Sequence, residues 1–195
     1  MTDVSSISPG IRDILDFWFL PPDHPDHGKV RDLWWGGPPE LDAEIRARFG
    51  GLLDRAVAGG LDGWRDTADG ALALILLCDQ FARNIHRKSP RAFASDAKAI
   101  ETARIALARG YPHVYPPSMR TFFYMPFQHS ENLADQELCC ALFASLGIPD
   151  YAKYAIDHRD IVARFGRFPH RNEVLGRESS PEEVEYLKTA ERFGQ

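Results

Sequence analysis

Apolar residues recur along most of this chain three and four positions apart, the spacing that gathers them on one face of an α-helix. Leu41, Ile45, Phe49, Leu52, Leu53 and Ala56 trace such a face through a helix expected from about Glu40 to Ala58, where Gly59-Gly60 stops it. A second helix runs from Gly70 to about Asn84, with Leu72, Ile75, Leu76, Asp79 and Arg83 sharing its buried side. Ser8-Pro9 reads as a cap opening a helix over Ile11 to Phe19, and Ser89-Pro90 as the cap of a long Ala-rich helix ended by Gly110. Helical residues return at Met119 to Tyr124, where Pro126 interrupts. Ser130 is expected to cap a helix through Leu146, and a further one follows from about Asp150 to Phe165. Ser180-Pro-Glu-Glu183 opens the last, ending near Phe193. Almost nothing alternates with a period of two. The expectation is an all-α chain of roughly seven to nine helices, with short connections favouring antiparallel neighbours, in one domain over residues 1–195.

Composition narrows the class. The chain has 195 residues, 44% of them hydrophobic and 11% aromatic, enough for a substantial core. A formal net charge of −5 argues against a general nucleic-acid binder. Three cysteines, two of them adjacent at Cys139 and Cys140, do not suggest a disulfide framework. The first residues lack the basic and apolar regions of a signal peptide, and the longest apolar run, Ala71 to Cys78, is too short to span a bilayer. A cytoplasmic protein that binds neither nucleic acid nor membrane is expected.

Several motifs together carry a resemblance. They are Ile14-Leu-Asp-Phe-Trp-Phe19, Asp79-Gln-Phe-Ala-Arg-Asn-Ile85, Arg91-Ala-Phe-Ala-Ser-Asp96, Tyr124-Met-Pro-Phe-Gln-His-Ser-Glu131, Asp135-Gln-Glu137 and Phe165-Gly-Arg-Phe-Pro-His-Arg-Asn172. In these the chain resembles the bacterial domain of unknown function 924 family over most of its length. Ala82 departs from the Pro commonly found there. The resemblance implies a tetratricopeptide-like helical stack and implies no activity, so no catalytic residue follows from it.

Candidate chemistry comes from polar residues at positions where the helical pattern expects apolar ones, since a buried charge is costly unless paired. Asp79 and Arg83, four apart, form either a structural ion pair or a carboxylate and guanidinium offered to a ligand. Glu131 and Asp135 fall on one face of the Ser130 helix and need a cation, an arginine or a shared proton between them; Arg83, Arg120 and Arg167 are the candidate partners. His129 is a base, a ligand or a satisfied structural histidine, and His158 a core histidine bonded to a carboxylate. The loop Phe165–Asn172 offers Arg167, His170 and Arg171 to an anion. The Trp-rich opening (Trp18, Trp34, Trp35) reads as core packing. No nucleotide loop, serine elbow or zinc motif occurs, and the only metal case is a dispersed one on Asp79, His129, Glu131 and Asp135; neither metal nor cofactor is expected. The leading expectation is a binding module. Its groove of Asp79, Arg83, Arg87, Arg120, Arg167, His170 and Arg171 would hold a small anionic molecule or an acidic peptide. The alternatives are a hydrolase using His129 with Glu131 or Asp135 as acid and base, and a charge cluster that is purely structural.

Overall fold

A computed structural model describes residues 9–190. Helix α1 covers Pro9–Phe19, and α2 covers Pro39–Val57. The next helix begins as α3, Ala68–Ile75, passes through a π-helical turn at Leu76–Phe81, and ends as α4, Ala82–Ile85. There follow α5 (Asp96–Ala108), α6 (Pro117–Gln128), α7 (Leu133–Ala144), α8 (Pro149–Phe165) and α9 (Pro181–Leu187). With the interrupted helix taken as one, the described residues form eight helices and no strand, joined in places by short 3-10 turns. The all-α expectation holds.

The interrupted helix is central because residues 71–78 are apolar without a break, so that stretch is apolar all round and must be surrounded. Every residue from Gly70 to Ala82 is buried. Thr67 caps its start, accepting the Gly70 N–H at 3.1 Å. Helices α2, α5, α1 and α6 pack around it. An aromatic run of Phe17, Trp18, Phe49, Phe81 and Phe122, with neighbouring ring centroids 5.0 to 6.0 Å apart, fills the space towards α1 and α2. Helices α6, α7 and α8 pack on one another in chain order. A small satellite core of Ile161, Val162 and Phe168, with Phe165 and Tyr186, lies under the C-terminal segment. Among the described residues no helix is long and apolar enough to cross a membrane.

Four local expectations need correction. Helix α7 is capped by Asn132, whose side chain accepts from the N–H groups of Ala134 (2.9 Å) and Asp135 (3.3 Å), so Glu131 precedes the helix and shares no helical face with Asp135. Helix α6 runs through Pro126 to Gln128, forgoing the single bond that the Pro126 nitrogen would have made. Ser89-Pro90 opens only a 3-10 turn, Pro90–Phe93, and the long helix starts at Asp96. The Gly70 helix begins two residues earlier and contains the π turn. Helix α9 ends at Leu187 and not near Phe193, and the expected cap at Ser8, like Phe193 itself, lies outside the described residues.

Candidate functional site

Asp79 lies within the π turn, Leu76–Phe81. The turn's widened backbone, marked by the Ala82 N–H reaching back to the Leu77 carbonyl, holds both Asp79 and Gln80 inside the protein, and such bulges recur at functional sites. Asp79 is fully buried. One carboxylate oxygen accepts from His129 Nδ1 at 2.7 Å and lies 3.1 Å from Arg83 Nη1; the other accepts from the Gln80 amide. Burial pushes this carboxyl up, but Arg83 and His129 outweigh it and hold Asp79 well below the usual range, so it stays ionised.

From Asp79 the charges run in a closed ring. Arg83 grips Asp96 with both terminal nitrogens, at 2.9 and 3.1 Å. Arg171 stands 3.8 Å from Asp96 and donates to the His129 carbonyl at 2.9 Å, with its guanidinium stacked against the rings of Phe93 and Phe168. Burial, then the charge of Arg83, bring the pKa of Arg171 down to about 10, still cationic at neutral pH. Burial also depresses His129, partly countered by Asp79. With Nδ1 donating to Asp79, a neutral His129 keeps its lone pair on Nε2, which no described residue engages.

His129 and Arg83 form part of the wall of a cleft of about 650 Å³. Gln80, Gln128 and His158 line it with them, as do Arg87 and Lys88, the aromatic Trp35, Tyr151 and Tyr154, and the apolar Met125 and Phe143. Its lining carries three cationic side chains against one carboxylate, Asp150. Arg87 and Asn84 both bond Asp42, at 2.7 Å each. Lys88 has no carboxylate partner among the described residues, and its backbone sits in the left-handed region at φ 60°.

The remaining candidates lie elsewhere. Glu131 accepts from Arg177 at 2.6 and 2.9 Å and from the Phe168 N–H at 2.8 Å, and these bonds overcome burial to keep it ionised. Asp135 takes Arg104 and the Ser130 hydroxyl, the latter at 2.8 Å. The two carboxylates thus each have an arginine of their own, and neither is Arg83, Arg120 or Arg167. Arg120 donates to the Tyr115 carbonyl at 2.7 Å, and Arg167 grips Glu183 at 2.7 and 2.8 Å. His170 packs on Phe168, and burial drives it down to about 3. None of these lines the cleft. His158 bonds the Tyr154 carbonyl at 2.8 Å with Gln128 at 3.2 Å, in place of the expected carboxylate. Trp18 and Trp34 are core residues, but Trp35 is 51% exposed. No cluster of three metal-ligating side chains occurs among the described residues.

Sequence reasoning missed Asp96, Gln80, Gln128 and the aromatic wall, and it left Lys88, part of a basic run with Arg83, Arg87 and Arg91, out of the groove. Tyr151 and Tyr154 share a face of α8 with His158, a pattern that reads as core until Tyr154 proves half exposed. Nothing local marks Asp96 as the partner of Arg83.

The family model for bacterial proteins of unknown function (DUF924) matches residues 14–191. No curated protein matches. A solved structure of a protein of unknown function from Agrobacterium tumefaciens is 40% identical, superposes with a TM-score of 0.84, and covers 92% of this chain and 97% of its own.

Proposed function

The chain belongs to the bacterial DUF924 family, and for this member of it we propose that the cleft beside Asp79 and His129 binds a small anionic molecule. The observation that carries this is the lining: it includes Arg83, Arg87 and Lys88 against one lining carboxylate, Asp150, and although Asp79 and Asp96 hold Arg83 and Asp42 holds Arg87, Lys88 has no carboxylate partner among the described residues. A volume near 650 Å³ suits a small molecule better than an acidic peptide. Arg83 is held by Asp79 and Asp96, so it contributes field more than contact, and Lys88 is the side chain able to meet the ligand directly. The tetratricopeptide-like stack remains part of this proposal, supported by the chain-order packing of α6, α7 and α8. So does a cytoplasmic setting, supported by three free thiols.

Calorimetry with inorganic phosphate and small dicarboxylates tests the proposal, on the full chain and on Lys88→Ala. Binding that weakens about tenfold in Lys88→Ala and falls with added salt is expected. If no anion binds, or Lys88→Ala binds all of them unchanged, the anion site is lost.

One geometric fact favours a second reading, that of a hydrolase. Asp79 fixes the His129 tautomer so that Nε2 can accept a proton from a water at the cleft wall, the arrangement a general base needs. A panel of chromogenic carboxylic and phosphate esters decides it. Turnover by the wild type that His129→Gln abolishes while leaving anion binding intact supports catalysis; a wild type inert across the panel ends that reading.

A further inference from the structure

We infer that the molecule held in this cleft is an aryl anion, a planar aromatic body carrying a carboxylate or phosphate. This rests on the anion-binding proposal and accounts for the part of the cleft that the cations leave unexplained. Two aromatic side chains there stand half in water, Trp35 at 51% and Tyr154 at 50% exposure, although Trp18 and Trp34 are buried at 1% and 5%. A single exposed apolar residue needs no explanation, but these two line one concave space.

The wall they belong to is built from the core outwards. Trp34 meets Trp35 edge to face at 6.4 Å, Trp35 meets Tyr151 at 5.8 Å, and Tyr151 meets the buried Phe143 at 6.3 Å. Buried rings at both ends thus fix the position of Trp35, so a flat surface is presented without the entropy cost of ordering it. Beside it, Gly36 has φ 140° and would carry a Cβ into open space, so the backbone there leaves room next to the indole. Aromatic rings at such distances prefer offset or edge contacts with other rings, which an aliphatic chain does not supply. Lys88 lines the same cleft and would meet the acidic group, with Arg87, held by Asp42, adding positive field. Because carboxylate and phosphate satisfy a lysine alike, the acid remains a class with two members.

Calorimetry on the full chain separates shape from charge with matched probes. Phenylacetate and phenyl phosphate supply ring and charge; cyclohexylacetate and cyclohexyl phosphate keep charge and bulk but lose planarity; 2-phenylethanol keeps the ring and loses the charge. The aryl acids should bind about tenfold more tightly than their saturated partners, and Trp35→Leu, which keeps apolar volume, should erase most of that gap. Which of the two aryl acids binds better identifies the acid. Equal affinity for aryl and saturated acids, or a gap that survives Trp35→Leu, overturns the inference while leaving the anion site standing. Equal binding of 2-phenylethanol, or no binding by any acid, overturns both.

Discussion

Lys88 holds a left-handed backbone that a residue with a Cβ adopts at a cost of roughly 1–2 kcal/mol, and glycine would adopt it freely. It sits in the turn closed by the Ser89 N–H on the His86 carbonyl, a position where a fold selected for stability alone would place glycine or asparagine. Lys88→Gly should therefore raise the melting temperature by about 1–3 °C once glycine's greater unfolded-state freedom is set against the relieved strain, while weakening anion binding as Lys88→Ala does. Calorimetry beside a thermal melt checks both halves; a lower melting temperature would show that the lysine is not strained. At this same scale the sequence was partly legible. Asp79, Arg83 and His129 stood out because charged or polar residues occupied an apolar face or its border. Their true neighbours did not, since Arg83 meets Asp96 thirteen residues on, a relation set by how two helices cross and carried by no local pattern. Arg120 and Arg167 looked equally suitable as anion ligands because guanidinium chemistry is the same whether it meets a ligand or, as here, the Tyr115 carbonyl and Glu183.

At the level of elements, the helices were legible because each buries one face and so prints a 3.6-residue period on the chain. The π turn was not, because residues 71–78 are apolar without a break and an added residue per turn leaves no trace in an unbroken run. Caps were misplaced where two capping residues compete: Ser130 and Asn132 both suit the role, and Asn132 takes it while Ser130 donates to Asp135. The start of the central helix offers a sharp test. A Cβ on Gly70 would stand 2.2 Å from the Trp64 carbonyl oxygen and 2.8 Å from Thr67 Oγ1, and the former is backbone that cannot rotate away. Gly70→Ala should cost about 2–3 kcal/mol despite alanine's better helix propensity, lowering the melting temperature by roughly 5–10 °C. A melt at or above the wild-type value would mean that the 3-10 turn before α3 yields easily.

Across the whole molecule the histidines set the response to acid. Burial lowers His129, His158 and His170, the latter two to about 4 and about 3, whereas an unfolded chain protonates its histidines near 6.5. The unfolded state therefore binds more protons below that pH, and stability is lost as pH falls from about 6.5 towards 4, at up to roughly 1.4 kcal/mol per pH unit for each histidine. Asp79, whose pKa is depressed, adds a later loss below about pH 4. Urea unfolding between pH 8 and pH 4.5 should show the first stage, and His158→Leu should flatten it; a wild-type profile level down to pH 5 would contradict the burial of these rings. The same architecture makes the cleft able to report on itself in light. Of the four tryptophans, Trp18 and Trp34 are buried and Trp64 is partly buried, so Trp35, with its indole half in water, supplies the most red-shifted emission. A molecule seated against it would shift or quench that component selectively, and the occupancy of the cleft would be readable from the colour of the protein's own fluorescence.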